Sequence, residues 1–479
     1  MKIWDLVLMV ILFGVGAWNF WLGVACLCLL FCVWKWWKVL GVGGLILARV
    51  FVWGFYADED VYWKLDDGGE YSVVGEICLE PDIRREEVKY VICPTMVDGE
   101  SFGWKSLVVG RGRFLWVGDN LEIYELGDQL RLECGFEEPF EENGFSYKTY
   151  LRIFRVVGIC EGRLLEVQEG GFGLRVGILR WKNWLLGYYD KELLEPVSSL
   201  VNGILLGTRR GFAPDVMDDF ARTGLTHIIA VSGYNVALVV LVIDYLFGWV
   251  PRRERFFVHF LFLVLFGFIT GLSASVIRAC VMGVLTLWAM RVGRMKTFGR
   301  VLLWCVVMMC FWNPAFLIYD VSFHLSVMAT LGVVMGGRIC DKYWSGFLEE
   351  GADFMGLKEA FVMTVFAQVF TLPIILWRFD YLSLVSPFAN LLVAPLLPVM
   401  MLVSVLMLGV GLVFPFMEWV FVLVLEVLGR LFFWIVEMCA LVDFLVLELE
   451  GVDRWLWVLV YCLVLILVSG VVLKSGNES

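Results

Sequence analysis

Residues 224–250 read GLTHIIAVSGYNVALVVLVIDYLFGWV. His227, Ser232, Gly233 and Asn235 stand at the entry to a long apolar run, Val236–Val250. Polar groups at membrane depth are unfavourable unless they are paired or face water, so they are few and tend to carry function. The chain has three histidines, and one lies in this string. The stretch predicts a protein that conducts or holds something polar inside a bilayer.

The rest of the chain is read outward from there. Hydrophobic residues make up 60% of the 479, and mean hydropathy is +0.80. A soluble domain is nearer half apolar, and runs of roughly 20 apolar residues mark membrane spans. Such runs recur from Ile3 to Phe55 and from Thr226 to Leu473. The fold class this predicts is a polytopic α-helical membrane protein with an inserted extracytoplasmic β domain. Expected spans after the motif cover 226–249, 256–271, 275–290, 300–313, 316–336, 357–377, 383–413 (interrupted near Pro395 and Pro398), 416–442 and 455–473. Residues 1–34 read as retained, because the apolar stretch is long and aromatic and no small-residue cleavage site follows. The runs 3–17 and 20–34 are short for full spans at the helical rise of about 1.5 Å per residue.

Basic residues give the orientation. Lys35 with Lys38, Arg252 with Arg253 and Arg255, Arg291 with Arg294, Lys296 and Arg300, and Arg338 with Lys342 form four clusters. With all four cytoplasmic, the block from Ala57 to Gly171 lies outside the cytoplasm. The expected organisation is therefore N-terminal transmembrane segments over 1–56, the outer β domain over 57–171, an interfacial connector over 172–223 and the main transmembrane domain over 224–479.

The outer block is charged and rich in β-formers. Tyr71–Leu79, Val88–Met96, Leu121–Tyr124, Gln129–Cys134 and Arg152–Val157 read as strands, punctuated by Gly68-Gly69, Asp98-Gly99, Gly127-Asp128 and Asn143-Gly144. Five or so strands in about 100 residues fit a small OB-like barrel, with a sandwich as the alternative. Cys78, Cys93, Cys134 and Cys160 lie in this block. An exported domain can form two bridges from four cysteines by three connectivities, and buried free thiols are an equal reading. Residues 57–170 hold 25 Asp and Glu against 12 Lys and Arg, a net of −13. Nucleic-acid affinity grows with neutralised phosphates, so this domain should repel a strand unless Arg84, Arg85, Lys89, Arg111 and Arg113 gather on one face. Phe136, Phe140, Phe145, Tyr147 and Tyr150 are candidates for base stacking, and core packing is the competing use of the same rings. In the connector, Leu174–Leu186 mixes Arg175, Arg180 and Lys182 with Trp181 and Trp184, as interfacial helices do.

Five stretches resemble the ComEC family, the inner-membrane DNA channels of bacterial natural transformation. GLTHIIAVSGYN, preceded by LLGTRRG and DDFARTG, is similar to the family signature. TGLSASVIRACVMGVL (270–285), NPAFLIYDVSFHLSVMATLG (313–332) and LPIILWRFDYLSLVSPFANLLVAPLLP (372–398) follow in the family's order. LGDQLRLECGFEEPFEENGFSYKTYL (126–151) resembles its OB-like domain. His324 stands where the family usually has Gln. Many members carry a C-terminal metallo-β-lactamase-like domain, and this sequence resembles the form without it.

The resemblance implies passage of single-stranded DNA into the cytoplasm through a multi-pass protein of the bacterial cytoplasmic (inner) membrane. It implies DNA-receptor and uptake-pilus proteins outside, a separate nuclease, cytoplasmic DNA-handling proteins and the lipid bilayer as partners. Residues placed on the path are His227, Ser232, Asn235, Arg278, His324, Gln368 and Asn390. Each has a second reading as a helix–helix hydrogen bond, and Asp320 is a candidate clamp for Arg278. Arg209 and Arg210 are candidates for the path's mouth or plain interfacial anchors, and Phe145, Tyr147 and Tyr150 are entry candidates on the outer domain. A transporter or export channel for another polar solute, with the β domain as lid or docking module, is the rival class. No enzymatic role, cofactor or metal is expected. Ser232 and His227 are five apart, so on one helix they point in different directions, and no oriented acid completes a hydrolase site.

Overall fold

The computed structural model describes residues 70–448 apart from 84–86, 98–99, 102–112, 120–122, 138, 140, 143–144, 148–150, 152, 155, 171–172, 209–210, 230–232, 272–273, 293–297, 314–315, 317–318, 344–356, 379–380 and 443–445. The expected N-terminal segments, the span 455–473 and Arg338's and Lys342's side chains lie outside the described residues. Described residues fall into two compact units. One holds 70–188 and 310–320, the other 189–309 and 321–448.

The first unit is a five-stranded closed barrel. Its strands are β1 (Glu70–Ile77), β2 (Glu87–Val97), β3 (Arg113–Asp119), β4 (Gln129–Glu137) and β5 (Val156–Gln168). They close in the order β1–β2–β3–β5–β4–β1, with β3 and β5 parallel and every other pair antiparallel. Alternation explains the facing in β4: Leu130, Leu132 and Cys134 point in, while Gln129, Arg131 and Glu133 point out. Val73, Ile77, Tyr90, Ile92, Phe114, Trp116, Leu130 and Leu132 fill the interior. Tyr90 and Trp116 stack with centroids 5.3 Å apart. The Tyr90 hydroxyl accepts the Tyr124 N–H at 3.2 Å, and burial pushes its pKa up despite that bond. Disulfides join Cys78 to Cys93 and Cys134 to Cys160, across sequence separations of 15 and 26 residues.

Two strand expectations are corrected. Of the expected strand Leu121–Tyr124, Ile123 and Tyr124 are not in a strand, because the backbone there is bound elsewhere, and 121–122 lie outside the described residues. Tyr124 donates to Tyr90, and the Glu125 N–H donates to Asp128 Oδ2 at 2.7 Å. The strand lies earlier, over Arg113–Asp119. There Phe114, Leu115 and Trp116 are all buried: Phe114 and Trp116 enter the barrel, while Leu115 packs with Leu151 and Val156 on the outside. A strand buried on both faces shows no period-two signal. Likewise Leu151 and Ile153 are helical, and the last strand starts at Val156 and runs to Gln168.

Helix α1 (Leu174–Glu192) begins on the barrel. Leu179 packs against the barrel core, and Lys182 is buried in an ion pair with Glu80 at 2.8 Å. Arg180 pairs with Glu125 at 2.9 Å, and Trp181 and Trp184 are exposed. Two of the helix's basic residues thus serve barrel carboxylates.

The second unit is helical. It comprises α2 (Val197–Leu206), α3 (Pro214–Arg222), α4 (Thr226–Ile229), α5 (Gly233–Leu246), α6 (Arg252–Ile269), α7 (Ala274–Arg291), α8 (Phe298–Trp312), α9 (Val321–Tyr343), α10 (Leu357–Arg378), α11 (Ser386–Val393), α12 (Leu396–Val413) and α13 (Glu418–Ala440). The end of α8 falls in the barrel unit. There Asn313, just after it, donates Nδ2–H to the Ile153 carbonyl at 3.2 Å, and helix α9 starts at Val321 rather than the expected 316. Among the described residues, two stretches are long and apolar enough to cross a membrane: 386–413, which is α11 with α12, and 415–440. A two-stranded ladder pairs Tyr381–Ser383 with Val446–Glu448.

Helices α9 and α10 approach closely through Gly332 and Gly336, spaced four apart on one face. A Cβ on Gly332 would come within 2.8 Å of Ala367 Cα, whereas one on Gly337 would meet only the flexible end of Met363 at 3.3 Å. Gly332→Val should therefore lower the thermal unfolding midpoint of the purified protein by the equivalent of about 1–3 kcal/mol. Gly337→Ala should leave it near wild type, and equal midpoints for the two variants would contradict the packing. In the barrel, replacing Cys134 and Cys160 by Ala should remove about 2–5 kcal/mol. The readout is the urea concentration at which the barrel becomes protease-sensitive in the full chain, and no change would contradict the role assigned to this bridge.

Candidate functional site

The motif residues lie on α3, α4, α5 and α7, with α4 packed against α2 and α3, and α5 against α7. Helix α2 is buried along almost its whole length, with Ser198, Ser199 and Asn202 on it. Asn202 donates Nδ2–H to Asp190 at 2.7 Å, and Ser199 donates to Glu195 at 3.0 Å. Gly207 ends the helix in the left-handed region at φ 74°, and its N–H caps the Gly203 carbonyl. Helix termini leave carbonyls without intrahelical partners. One of these, Ile204 O, accepts the buried Asn235 Nδ2–H from α5 at 3.1 Å. Asn235 therefore ties the signature string to the LLGTRRG segment.

Helix α3 opens with Pro214 in its first turn, and Phe220 buries its ring against Phe212, Phe432 and Phe433. Burial pushes the Asp219 carboxyl up, opposed by Arg222. The Thr223 hydroxyl returns to the Asp219 carbonyl at 2.7 Å. Gly224 follows at φ +69°, and a Cβ there would lie 2.7 Å from Ser386 Oγ. Conformation and space both require glycine at the first residue of the string. His227 is exposed and donates Nδ1–H to the Gly224 carbonyl at 3.0 Å.

Helices α5, α6 and α7 share a core of Val236, Leu263 and Ala279. Gly233 opens α5 with space for a Cβ 4.0 Å from that of Ala279, and Gly283 sits against Leu263 and Val236. Asn235 and Arg278 are each the residue before a member of this core, so the shared packing brings their two segments together. Both are buried. The Arg278 carbonyl accepts the Cys305 thiol at 3.7 Å from α8. His324 is buried on α9, with its ring 6.1 Å from that of Phe323. Gln368 on α10 and Asn390 on α11 are half-buried, and the Asn390 carbonyl accepts the Ala394 N–H at 2.8 Å.

Ser232, Arg209, Arg210 and Tyr150 lie outside the described residues, as do Arg84, Arg85, Arg111, Phe140 and the side chain of Phe145. Two outer-domain rings are used for packing. Phe136 lies against Phe114 at 5.5 Å and Tyr71 at 6.2 Å. Tyr147 packs on the Leu115 cluster, with Lys89 Nζ 5.5 Å over its ring. Lys89 also pairs with Glu87 at 3.0 Å, and Arg113 donates to the Phe154 carbonyl at 3.2 Å. Neither cation is aimed at a common face by these contacts. Asn202 was not singled out in the sequence. Its signal is a lone amide inside the apolar stretch Val197–Leu206, the same kind of signal that marks Asn235.

The chain joins a helical unit with buried amides to a disulfide-bearing β-barrel. The model of the Competence protein family matches residues 204–474, and the chain belongs to this family. The motif resemblance to ComEC points to the same family. Similar proteins include ComE operon protein 3 of Bacillus subtilis (strain 168), 24% identical over 283 residues, covering 58% of this chain and 35% of that protein. Competence protein ComA of Neisseria gonorrhoeae is 24% identical over 251 residues, covering 47% of this chain and 33% of that protein. The matched region spans about a third of the length of these relatives. No solved structure matches the chain significantly.

Asn235→Asp tests the tie between α5 and α2. The carboxylate keeps the shape and loses the donor, so Ile204 O is left without its partner, at about 1–3 kcal/mol. The thermal midpoint of the purified protein should fall accordingly. A wild-type midpoint would contradict the hydrogen bond.

Proposed function

We propose that this chain is a multi-pass channel of the bacterial inner membrane that passes single-stranded DNA into the cytoplasm during natural transformation. The observation that carries the reading is the family match over residues 204–474, which contain the polar string. A strand of phosphates needs a polar route through apolar helices, and α2, α5 and α7 carry the buried Asn202, Asn235 and Arg278. The multi-pass reading is supported by the apolar stretches 386–413 and 415–440, by shorter apolar helices such as Gly233–Leu246 and Val321–Gly337, and by the exposed apolar side chains along α12 and α13. An extracytoplasmic barrel is supported by its two disulfides, since such bonds persist in oxidising compartments. Its closure order with one parallel pair supports the OB type.

Within this function the barrel is a docking or gating module. Phe136 and Tyr147 are engaged in packing, and the domain is acidic, so the strand is held by the helices. DNA-receptor and pilus proteins outside, a separate nuclease and cytoplasmic DNA-handling proteins complete the pathway. The path residues are His227, Ser232, Asn235, Arg278, His324, Gln368 and Asn390, with Arg209 and Arg210 at its mouth.

Arg278→Leu in a transformable host should reduce uptake of labelled DNA to the level of a gene deletion while the protein still accumulates in the membrane. Arg278→Lys should retain part of it. Undiminished uptake in Arg278→Leu removes this residue from the path, and undiminished uptake in the deletion removes the function.

A further inference from the structure

The α5–α6 turn and the end of α7 lie at one end of the three-helix group, opposite the end that carries Gly233, Asn235 and Arg278. Arg291 closes α7 with its guanidinium 4.8 Å from the Phe257 ring and 5.3 Å from the Phe256 ring. Trp288, one turn earlier, meets Phe256 at 5.6 Å. Beside them, Tyr245 and Trp249 are 88% and 79% exposed. Arg253 is exposed, and neither it nor Arg291 has a carboxylate partner among the described residues. Arg255 is differently placed. It pairs with Asp244 at 3.0 Å and holds the turn through the Gly248 and Val250 carbonyls, so it and Asp244 neutralise one another. Glu254 is the one other acid on this turn, against Arg252 and Arg253.

We infer that this rim binds the phosphate of anionic phospholipid headgroups in the cytoplasmic leaflet. The inference rests on the membrane part of the proposed function and is independent of DNA passage. Three features support it together. Exposed Trp and Tyr suit the level of the headgroups. Arginine stacked on aromatic rings is held ready as a phosphate donor, without the loss of side-chain freedom a lone surface arginine would undergo on binding. The excess of positive charge is complementary to an anionic surface, which attracts each nearby basic residue.

The test uses the full chain reconstituted into vesicles of phosphatidylglycerol and phosphatidylcholine, then extracted in mild detergent, with co-retained lipid measured by mass spectrometry. Wild type should retain phosphatidylglycerol in preference. Arg253→Gln with Arg291→Gln should lose roughly fivefold or more of that preference. Arg253→Lys with Arg291→Lys should keep most of it. Arg253→Gln alone leaves the Arg291–Phe packing intact and should lose part, which keeps the test open if the double variant does not accumulate. Unchanged preference in the Gln variants overturns the proposal, as does loss of binding to a single-stranded oligonucleotide with lipid retention unaltered. A chain that does not float with the vesicles overturns the membrane reading and this inference together, whereas one that floats without lipid preference overturns this inference alone.

Discussion

A polar atom inside an apolar helical unit must find its partner inside that unit, and the architecture of this protein follows from how that is met. Asn235 gives its amide to the Ile204 carbonyl in the last turn of α2, and Asn202 on α2 gives its amide to Asp190. These two bonds place the signature string against a helix that is itself almost wholly buried. Glycines at 203, 207 and 224 then allow the backbones to close around them. Removing the Asn235 donor would leave a buried carbonyl without a partner, at a cost of about 1–3 kcal/mol.

The barrel solves a different problem. It is a small domain whose outer surface is strongly acidic, and self-repulsion works against its compactness. Its answers are a closed ring of strands, an aromatic interior and two disulfides. The buried Lys182–Glu80 pair and the Arg180–Glu125 pair fix α1 to it. The rings of Phe136 and Tyr147 are committed to packing within this domain.

Much of the helical layout was legible in the sequence. The run 275–290 is α7 (Ala274–Arg291), and 357–377 is α10 (Leu357–Arg378). Apolar runs of this length have one regular solution in an apolar setting, so their existence follows from composition. The barrel strands were less legible. Arg113–Asp119 hides because Phe114, Leu115 and Trp116 are buried on both faces, while Leu121–Tyr124 has the pattern of a strand, yet the Tyr124 and Glu125 N–H groups bond Tyr90 and Asp128. The partners of Lys182 and Asn202 depend on long-range contacts that no local pattern encodes. Polar insertions flagged Asn235 and Arg278 as special, and only the fold shows that Val236 and Ala279 bring them onto adjoining helices.

The central claim is that the strand passes beside α5 and α7. Transforming DNA carrying photoreactive nucleotides, crosslinked during uptake and mapped by peptide mass spectrometry, tests it most directly. The account predicts adducts of a single strand on peptides from 224–246 and 274–291. Uptake that proceeds with adducts confined to the barrel, or with none on this chain, would contradict it.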